Sequence, residues 1–560
     1  MGDIISSYEF HRRIESPVAF VRREWAALLL FGGAFSVLML VGVLALDPAF
    51  FYPRFSTDPL LYYLKGLSFA QTGRAEAVIA VNLPALHYVS MPGILRSPVF
   101  LAFDDFDTRL RAIQVGNIFL VAATATMYAY ILSWGIARAW HWVAVGFSFS
   151  FVLLSPWWIT NVLAPLGDAP YAFFSAAACI IVARVLASDA RLRDNWPVVV
   201  LGAFCFAVAF LVRFTAPALL VLAGLLAAGR GVFHGLSRRR MIVGASCSTV
   251  VLLTMIALNW EVLSDRYLGE SLYFLREADK SSMVLNLVAL ALPSQIVPVF
   301  QLGFAQPPME SIFYLVFGTT PRDRAWTAIG IAIACVVFFG MWRTRARLLP
   351  EIAYLICVLP VLTLIIPSTS RYLMAYQPFI WMFFLAGLSF LLSPFRSRLS
   401  ARHMHVASAM AVFAVVGMGV MRARRIAGTQ YRNSASVSVI EARSYAADVA
   451  STFRQLRRFL ETLPRERSLL IGARGTTGRW KAISDIDYYF PDSSLAAAVV
   501  QKDVYLLAEC GTREDCLDDV AWETSAKLPL GDFGDFAYER VFVRSTRHTR
   551  AAVYRVHLKE

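Results

Sequence analysis

Thr57-Asp58-Pro59-Leu60-Leu61-Tyr62-Tyr63-Leu64-Lys65 follows the first long apolar run, 26–46, and brings an acid, a phenol and an ammonium close together. Asp58, Tyr62, Lys65 and Phe69 are spaced i, i+4, i+7 and i+11, which puts them on one side of a helix. A carboxylate so placed can take a proton from an attacking hydroxyl or amine, and an ammonium can hold an anionic group beside it. Asp before Pro is equally a strong helix start, because Asp accepts from free backbone N–H groups and Pro fits the first turn. Both roles are open to Asp58. Gly73, after Gln71-Thr72, marks the expected end of this helix.

A second carboxylate, Asp168, lies in Leu163-Ala164-Pro165-Leu166-Gly167-Asp168-Ala169-Pro170-Tyr171 and again precedes a helix. Paired acids can serve as base and orienting partner or hold a divalent cation. Asp58 and Asp168 are the ligands for such an ion if the chain binds one. Asp104-Asp105-Phe106-Asp107 reads instead as a solvated turn paired with Arg109 and Arg111. Arg213, in Leu211-Val212-Arg213-Phe214-Thr215, and Arg371-Tyr372, in Pro367-Ser368-Thr369-Ser370-Arg371-Tyr372-Leu373, flank apolar runs. A charge near a bilayer is costly and usually has a partner or a role, and guanidinium suits phosphate because it can bond two oxygens at once. Snorkelling to the interface is the plain alternative. His87-Tyr88 and Arg96-Ser97-Pro98 share the loop that carries Asp58 and are candidates to line its cavity.

The elements that must position these residues are membrane helices. The 560-residue chain is 58% apolar and 16% charged, with a mean hydropathy of +0.56. A soluble domain carries more charge than this. A span needs roughly 20 apolar residues, and eleven windows qualify: 26–46, 112–134, 143–159, 169–187, 196–212, 214–229, 241–260, 325–342, 350–366, 372–392 and 404–421. A further stretch, 284–304, holds Pro293 and Pro298 and reads as re-entrant. Residues 1–24 resemble an interfacial cytoplasmic helix, with apolar residues among basic ones.

The formal charge of +14 is explained by topology rather than by nucleic acid. With the N-terminus inside, Arg12-Arg13, Arg22-Arg23, Arg191, Arg193, Arg230, Arg238 to Arg240, Arg343 to Arg347 and Arg396 to Arg402 all fall on the cytoplasmic side. A full crossing at 284–304 would invert Arg343 to Arg347. The expected division is therefore 1–24 interfacial, 25–421 transmembrane with external loops 47–111 and 261–324, and 422–560 an external α/β domain. In that last segment a helix is expected near 440–463 and strands at 468–473, 504–508 and 551–557.

Five cysteines lie in apolar spans, while Cys510 and Cys516 lie in the tail at a spacing that suits a disulfide in an oxidising exterior. No cleavable signal peptide is apparent, so the first span should be retained. Gly472-Ala473-Arg474-Gly475-Thr476-Thr477-Gly478 follows a strand but lacks both dinucleotide and phosphate-loop signatures, and reads as a turn.

Taken together, Asp58 with its helix to Gly73, Arg96-Ser97-Pro98, Arg111, Asp168, Leu211 to Thr215 and Ser370-Arg371-Tyr372 resemble the GT-C superfamily of integral-membrane glycosyltransferases. Protein O-mannosyltransferases, the lipid A aminoarabinose transferase and arabinosyltransferases belong to it. The resemblance covers about residues 20–400. It implies a polytopic α-helical protein of the bacterial inner membrane that takes a sugar from a polyprenyl-phosphate donor. The acceptor would be a lipid, a glycan or a protein.

The resemblance further implies that Asp58 is the base, that Asp168 assists, and that Tyr62, Lys65, His87, Arg96, Arg213, Arg371 and Tyr372 bind substrate. Many members carry two adjacent acids in the first loop, where this chain has Thr57-Asp58-Pro59; a divalent cation therefore stays an open expectation. Two other classes compete. A transporter or flippase would keep its ionisable residues mid-membrane and show inverted repeats, neither of which is evident. A non-catalytic subunit of a cell-envelope polymer assembly would not need the acids at all.

Overall fold

The computed structural model describes residues 16–54, 57–78, 80–81, 91–154, 156–187, 196–213, 321–345, 348–349, 351–356, 376–392, 439–472, 479–489, 495–511, 536–546 and 549–558. The expected spans at 214–229, 241–260 and 404–421, the re-entrant stretch 284–304 and residues 1–15 lie outside these.

Helix α1, Pro17–Ala45, is 29 residues long. Val18, Leu29, Leu30, Val37, Val41 and Leu44 along it are 59–64% exposed. So much bare aliphatic surface on one helix is at home in lipid rather than in water. A later helix, α5 (Phe106–Ser133), is also long and apolar enough to cross a membrane, and these two are the ones of that length among the described residues.

Between them come a 3-10 helix, Pro48–Arg54, and the short helices α2 (Thr57–Thr72), α3 (Met91–Ile94) and α4 (Ser97–Ala102). Shorter apolar helices follow: α6 (His141–Leu154), α7 (Pro156–Leu163), α8 (Asp168–Ala187), α9 (Trp196–Val212), α10 (Pro321–Thr344) and α11 (Gln377–Leu391). The tail holds α12 (Val439–Glu461), α13 (Arg479–Ser484) and α14 (Leu495–Gln501), with strands β1 (Ser468–Ile471), β2 (Asp487–Tyr488), β3 (Asp503–Gly511), β4 (Phe536–Ser545) and β5 (Thr549–Leu558).

The chain forms two compact units. The first contains residues 1–37, 119–159 and 168–419. In it α8 packs on α9 and α10 on α11. Gly340 and Gly387 leave the last pair no room for a side chain where Phe383 and Val336 approach, which is how small residues bring apolar helices close.

The second unit joins residues 38–118 and 160–167 to the tail from 420 onward. Hydropathy places a boundary at 421/422, whereas packing groups the first loop with the tail. Its sheet runs β2-β1-β3-β5-β4, with β1 parallel to β2 and β3 and β5 antiparallel to β3 and β4. Alternate side chains face opposite ways along a strand. Leu470, Tyr505, Leu507, Ala551 and Val553 therefore join Val449, Phe453, Leu456 and Leu460 of α12 in one core. Phe51, Tyr52, Leu60 and Tyr63 from the first loop belong to that same core. The other face, with Leu469, Ile471, Val504, Leu506 and Val556, packs on Leu495. The first loop also extends the sheet: Ala80 bridges to Tyr488 in parallel, and the Val81 N–H donates to the Tyr488 carbonyl at 2.9 Å.

Candidate functional site

Helix α2 carries the first three candidates. Asp58 lies in its first turn and is half-buried. The helix stops at Gly73, whose φ of 73° is the left-handed conformation that glycine adopts without strain. Tyr62 and Lys65 sit deeper, at 4% and 3% exposure.

They are buried by the corner formed by α3 and α4, and two glycines make that corner tight. A Cβ on Gly93 would lie 2.6 Å from the Tyr62 carbonyl oxygen, 2.8 Å from the Gly66 nitrogen and 3.0 Å from the Lys65 Cβ. One on Gly66 would lie 2.6 Å from the Phe100 ring and 2.7 Å from the Gly93 oxygen. The backbones touch because neither residue has a side chain.

Arg96 lies within that corner, between α3 and α4, and is also buried. Its guanidinium donates to the carbonyls of Pro92, at 2.5 Å, and Leu166, at 2.6 Å. Burial lowers its pKa to about 10, with Tyr62 acting in the opposite direction. The turn it reaches is held by two more side chains. Gln114 Nε2 donates to the Leu163 carbonyl at 3.0 Å, and Asn117 Nδ2 donates to the carbonyls of Asn161, at 2.9 Å, and Ala164, at 3.2 Å. These are carbonyls around the C-terminus of α7, where intrahelical partners run out. Tyr62, Lys65 and Arg96 are thus gathered in one unit, beside a turn whose carbonyls are spent on side chains.

Asp168 belongs to the other unit and opens α8. Its Oδ1 is bonded by Arg213, which follows α9, and both side chains are buried. Its Oδ2 is buried with no hydrogen-bond partner among the described residues. The two residues singled out separately in the sequence therefore neutralise each other. Further along this unit, the hydroxyls of Tyr171 and Tyr376 meet at 3.4 Å, and Trp158 Nε1 donates to Gln377 Oε1 at 3.0 Å.

The acidic turn before α5 pairs differently from the sequence expectation. Asp105 caps α5, accepting from the backbone N–H groups of Asp107, at 2.9 Å, and Thr108, at 3.0 Å. Arg109 donates to the Phe103 carbonyl at 2.6 Å, and Arg111 donates to the carbonyls of Val43 and Leu46. Asp107 turns to Arg457 of α12, 350 residues further along the chain. Nothing local in the sequence marks Arg457; α12 carries many arginines, and only the packed face selects this one. Gln114 and Asn117 do carry a local signal, as polar residues three apart inside an apolar span.

His87, Arg371, Tyr372 and Cys516 lie outside the described residues. Cys510 is in β3, in register with Arg550 of β5. Of the two acids expected to hold a divalent cation, Asp168 is engaged by Arg213 through Oδ1, and among the described residues no group of three or more His, Cys, Asp or Glu could hold a metal.

No protein-family model matches the sequence, and no curated protein matches it. Among solved structures the chain is similar to the oligosaccharyltransferase of Archaeoglobus fulgidus in complex with Zn and sulfate, at 12% identity and a TM-score of 0.48 over 94% of this chain and 72% of that one. It is also similar to ArnT from Cupriavidus metallidurans: 13% identity and a TM-score of 0.49 for the apo state, and 12% and 0.47 for the form bound to undecaprenyl phosphate, each over 93% of this chain and 97% of that one.

Proposed function

We propose that this chain is an integral-membrane glycosyltransferase of the GT-C type, which moves a sugar from a polyprenyl-phosphate donor to a hydroxyl or amine of a lipid, glycan or protein acceptor. The observation that supports it best is the burial of Lys65 and Arg96 in the corner against α2, two helical turns from a half-buried Asp58. A buried cation two turns from a partly exposed carboxylate suits a reaction that takes a proton at one point and develops negative charge at another.

In this reading the Asp58 carboxylate accepts the acceptor's proton as its oxygen or nitrogen attacks the anomeric carbon. The bond from that carbon to the phosphate oxygen breaks, its electron pair stays on the phosphate, and the anomeric centre inverts. Lys65 stabilises the departing phosphate, joined by Arg371. Tyr62, His87 and Tyr372 line the substrate path. Arg96 shapes it through the carbonyls it holds, and Asp168, paired with Arg213, assists. The site faces the outside of a bacterial inner membrane with the N-terminus cytoplasmic, in keeping with the placement of the arginine clusters.

The test is turnover in detergent. Purified protein is offered radiolabelled undecaprenyl-phosphate hexoses and pentoses one at a time, with release of labelled sugar to water or to added lipid acceptor as the readout. One donor should be consumed. A protein that consumes none, yet moves a donor across sealed vesicles, is a transporter, and the transferase reading fails.

A further inference from the structure

Arg457 closes a ring of hydrogen bonds with two residues of the first loop. Its Nη1 donates to the Tyr52 hydroxyl at 2.8 Å and to Asp107 Oδ2 at 2.9 Å, and the Tyr52 hydroxyl donates to Asp107 Oδ1 at 2.7 Å. The guanidinium Nε is fixed from behind by Glu461 at 2.8 Å, one turn further along α12. Both Asp107 oxygens and the Tyr52 hydroxyl are thereby bonded, and the Tyr52 side chain is fully buried. Three mutually bonded groups hold one geometry, since none can rotate without breaking two bonds.

From this ring a line of aromatic rings leads to α2. Tyr52 meets Phe106 edge-on with centroids 5.6 Å apart. Phe106 lies 5.2 Å from Tyr63, and Tyr63 lies 4.8 Å from Phe100. Tyr63 is adjacent to Tyr62, and Phe100 is the ring against which Gly66 closes. On its other side Tyr52 meets Trp480 edge-on at 6.0 Å, and Trp480 stacks on Phe453 of α12 at 6.1 Å. Trp480 Nε1 in turn donates to Glu509, which also bonds Arg479. Arg454 adds an ion pair from α12 to Asp47.

We propose that Arg457 is a positioning residue: through Tyr52 and Asp107 it fixes the orientation of α2, and with it Asp58, so that the tail domain holds the base in place for transfer. The proposal rests on the reading of Asp58 above. It gives the tail a task in the transfer reaction and explains why packing joins it to the first loop.

The experiment compares wild type with Arg457→Gln, Arg457→Lys and Tyr52→Phe in the full-length protein in detergent. Hydrogen exchange of the α2 amides is measured alongside transfer from the undecaprenyl-phosphate sugar that wild type consumes. Arg457→Gln should lose protection across residues 57–72 while α8 and α9 keep theirs. Its kcat should fall by about 10- to 100-fold, as expected for a misplaced catalytic group, with the donor KM nearly unchanged. Arg457→Lys, which keeps the charge but not the fork, should fall between. Tyr52→Phe keeps the ring and loses the hydroxyl; it gives the same pattern more weakly and serves if Arg457→Gln does not accumulate. Unchanged α2 protection overturns the proposal whether or not any donor is consumed. Lost protection with wild-type kcat overturns it as well, and a wild type that consumes no donor counts against the transferase reading while the exchange data still decide the clamp.

Discussion

Arg213 and Asp168 form a buried ion pair between neighbouring apolar helices, the cation just past the end of α9 and the anion at the start of α8. Two charges in so dry a place offset each other's desolvation, and removing one leaves the other uncompensated.

Asp168→Asn and Arg213→Gln should therefore each destabilise the protein by about 3–5 kcal/mol, and the double variant by clearly less than the sum. Thermal unfolding of the four proteins in detergent completes the double-mutant cycle. Transfer should stay lost in the double variant even as stability returns, because the Asp168 carboxylate is still absent.

Asp58→Asn separates a cap from a base. Asn caps a helix about as well as Asp, so the unfolding temperature should change little. Loss of a general base lowers kcat by about 10²- to 10⁴-fold. Wild-type turnover in this variant would leave Asp58 with only its structural role.

Gly93→Ala tests the tight corner. The new methyl would collide with backbone atoms of Tyr62 and Gly66, neither of which can swing aside as a flexible side chain would. Overpacking of this kind costs about 1–3 kcal/mol. A lowered unfolding temperature is expected, together with weaker donor binding as Lys65 shifts. Gly33→Ala has nothing within 4 Å of the added carbon and should be silent in the same assays.

Asp105 gives a pH signature. Burial works against its charge, but hydrogen bonds from Thr108 and Asp107 and the nearby Arg457 outweigh it and hold the carboxyl below its ordinary value. A carboxyl depressed in the folded state lends stability above its unfolded value of about 3.9 and loses it as pH falls through the lower folded value. Asp105→Ala should remove the cap at a cost of about 0.5–2 kcal/mol near neutral pH. It should also flatten the acid side of the stability profile, measured by denaturation from about pH 6 to about pH 2.

How much of this could be read from the chain alone varies with the physics involved. Helix α2 was legible to its end, because Asp-Pro and Gly73 act on the local backbone. In the tail, α12 at Val439–Glu461 lies against an expectation of 440–463, and β3 and β5 contain the expected runs; those signals come from periodicity within one element. Strand β4 has no clear sequence signature, because its exposure pattern does not alternate cleanly and a bulge interrupts it at Arg540 to Phe542.

The partners were the least legible. Proximity in sequence pairs the acidic turn with Arg109 and Arg111, whereas those arginines donate to backbone carbonyls and Asp107 pairs across 350 residues. Hydrophobic pattern announces that a face will be buried. It does not say against what.

The bridge from Ala80 to Tyr488 and the bond from Arg457 to Tyr52, which are 405 residues apart for the latter pair, impose an order on biosynthesis. The ribosome finishes the first loop long before the tail exists. At roughly 5–20 residues per second, the loop waits on the order of 20–80 s with Phe51, Tyr52, Leu60 and Tyr63 lacking the partners that later cover them. Newly made chains should pass through a stage that insertion factors or chaperones must guard. Nonsense truncations before α12 should be cleared by proteolysis, even though every residue named as chemically active lies upstream of the stop.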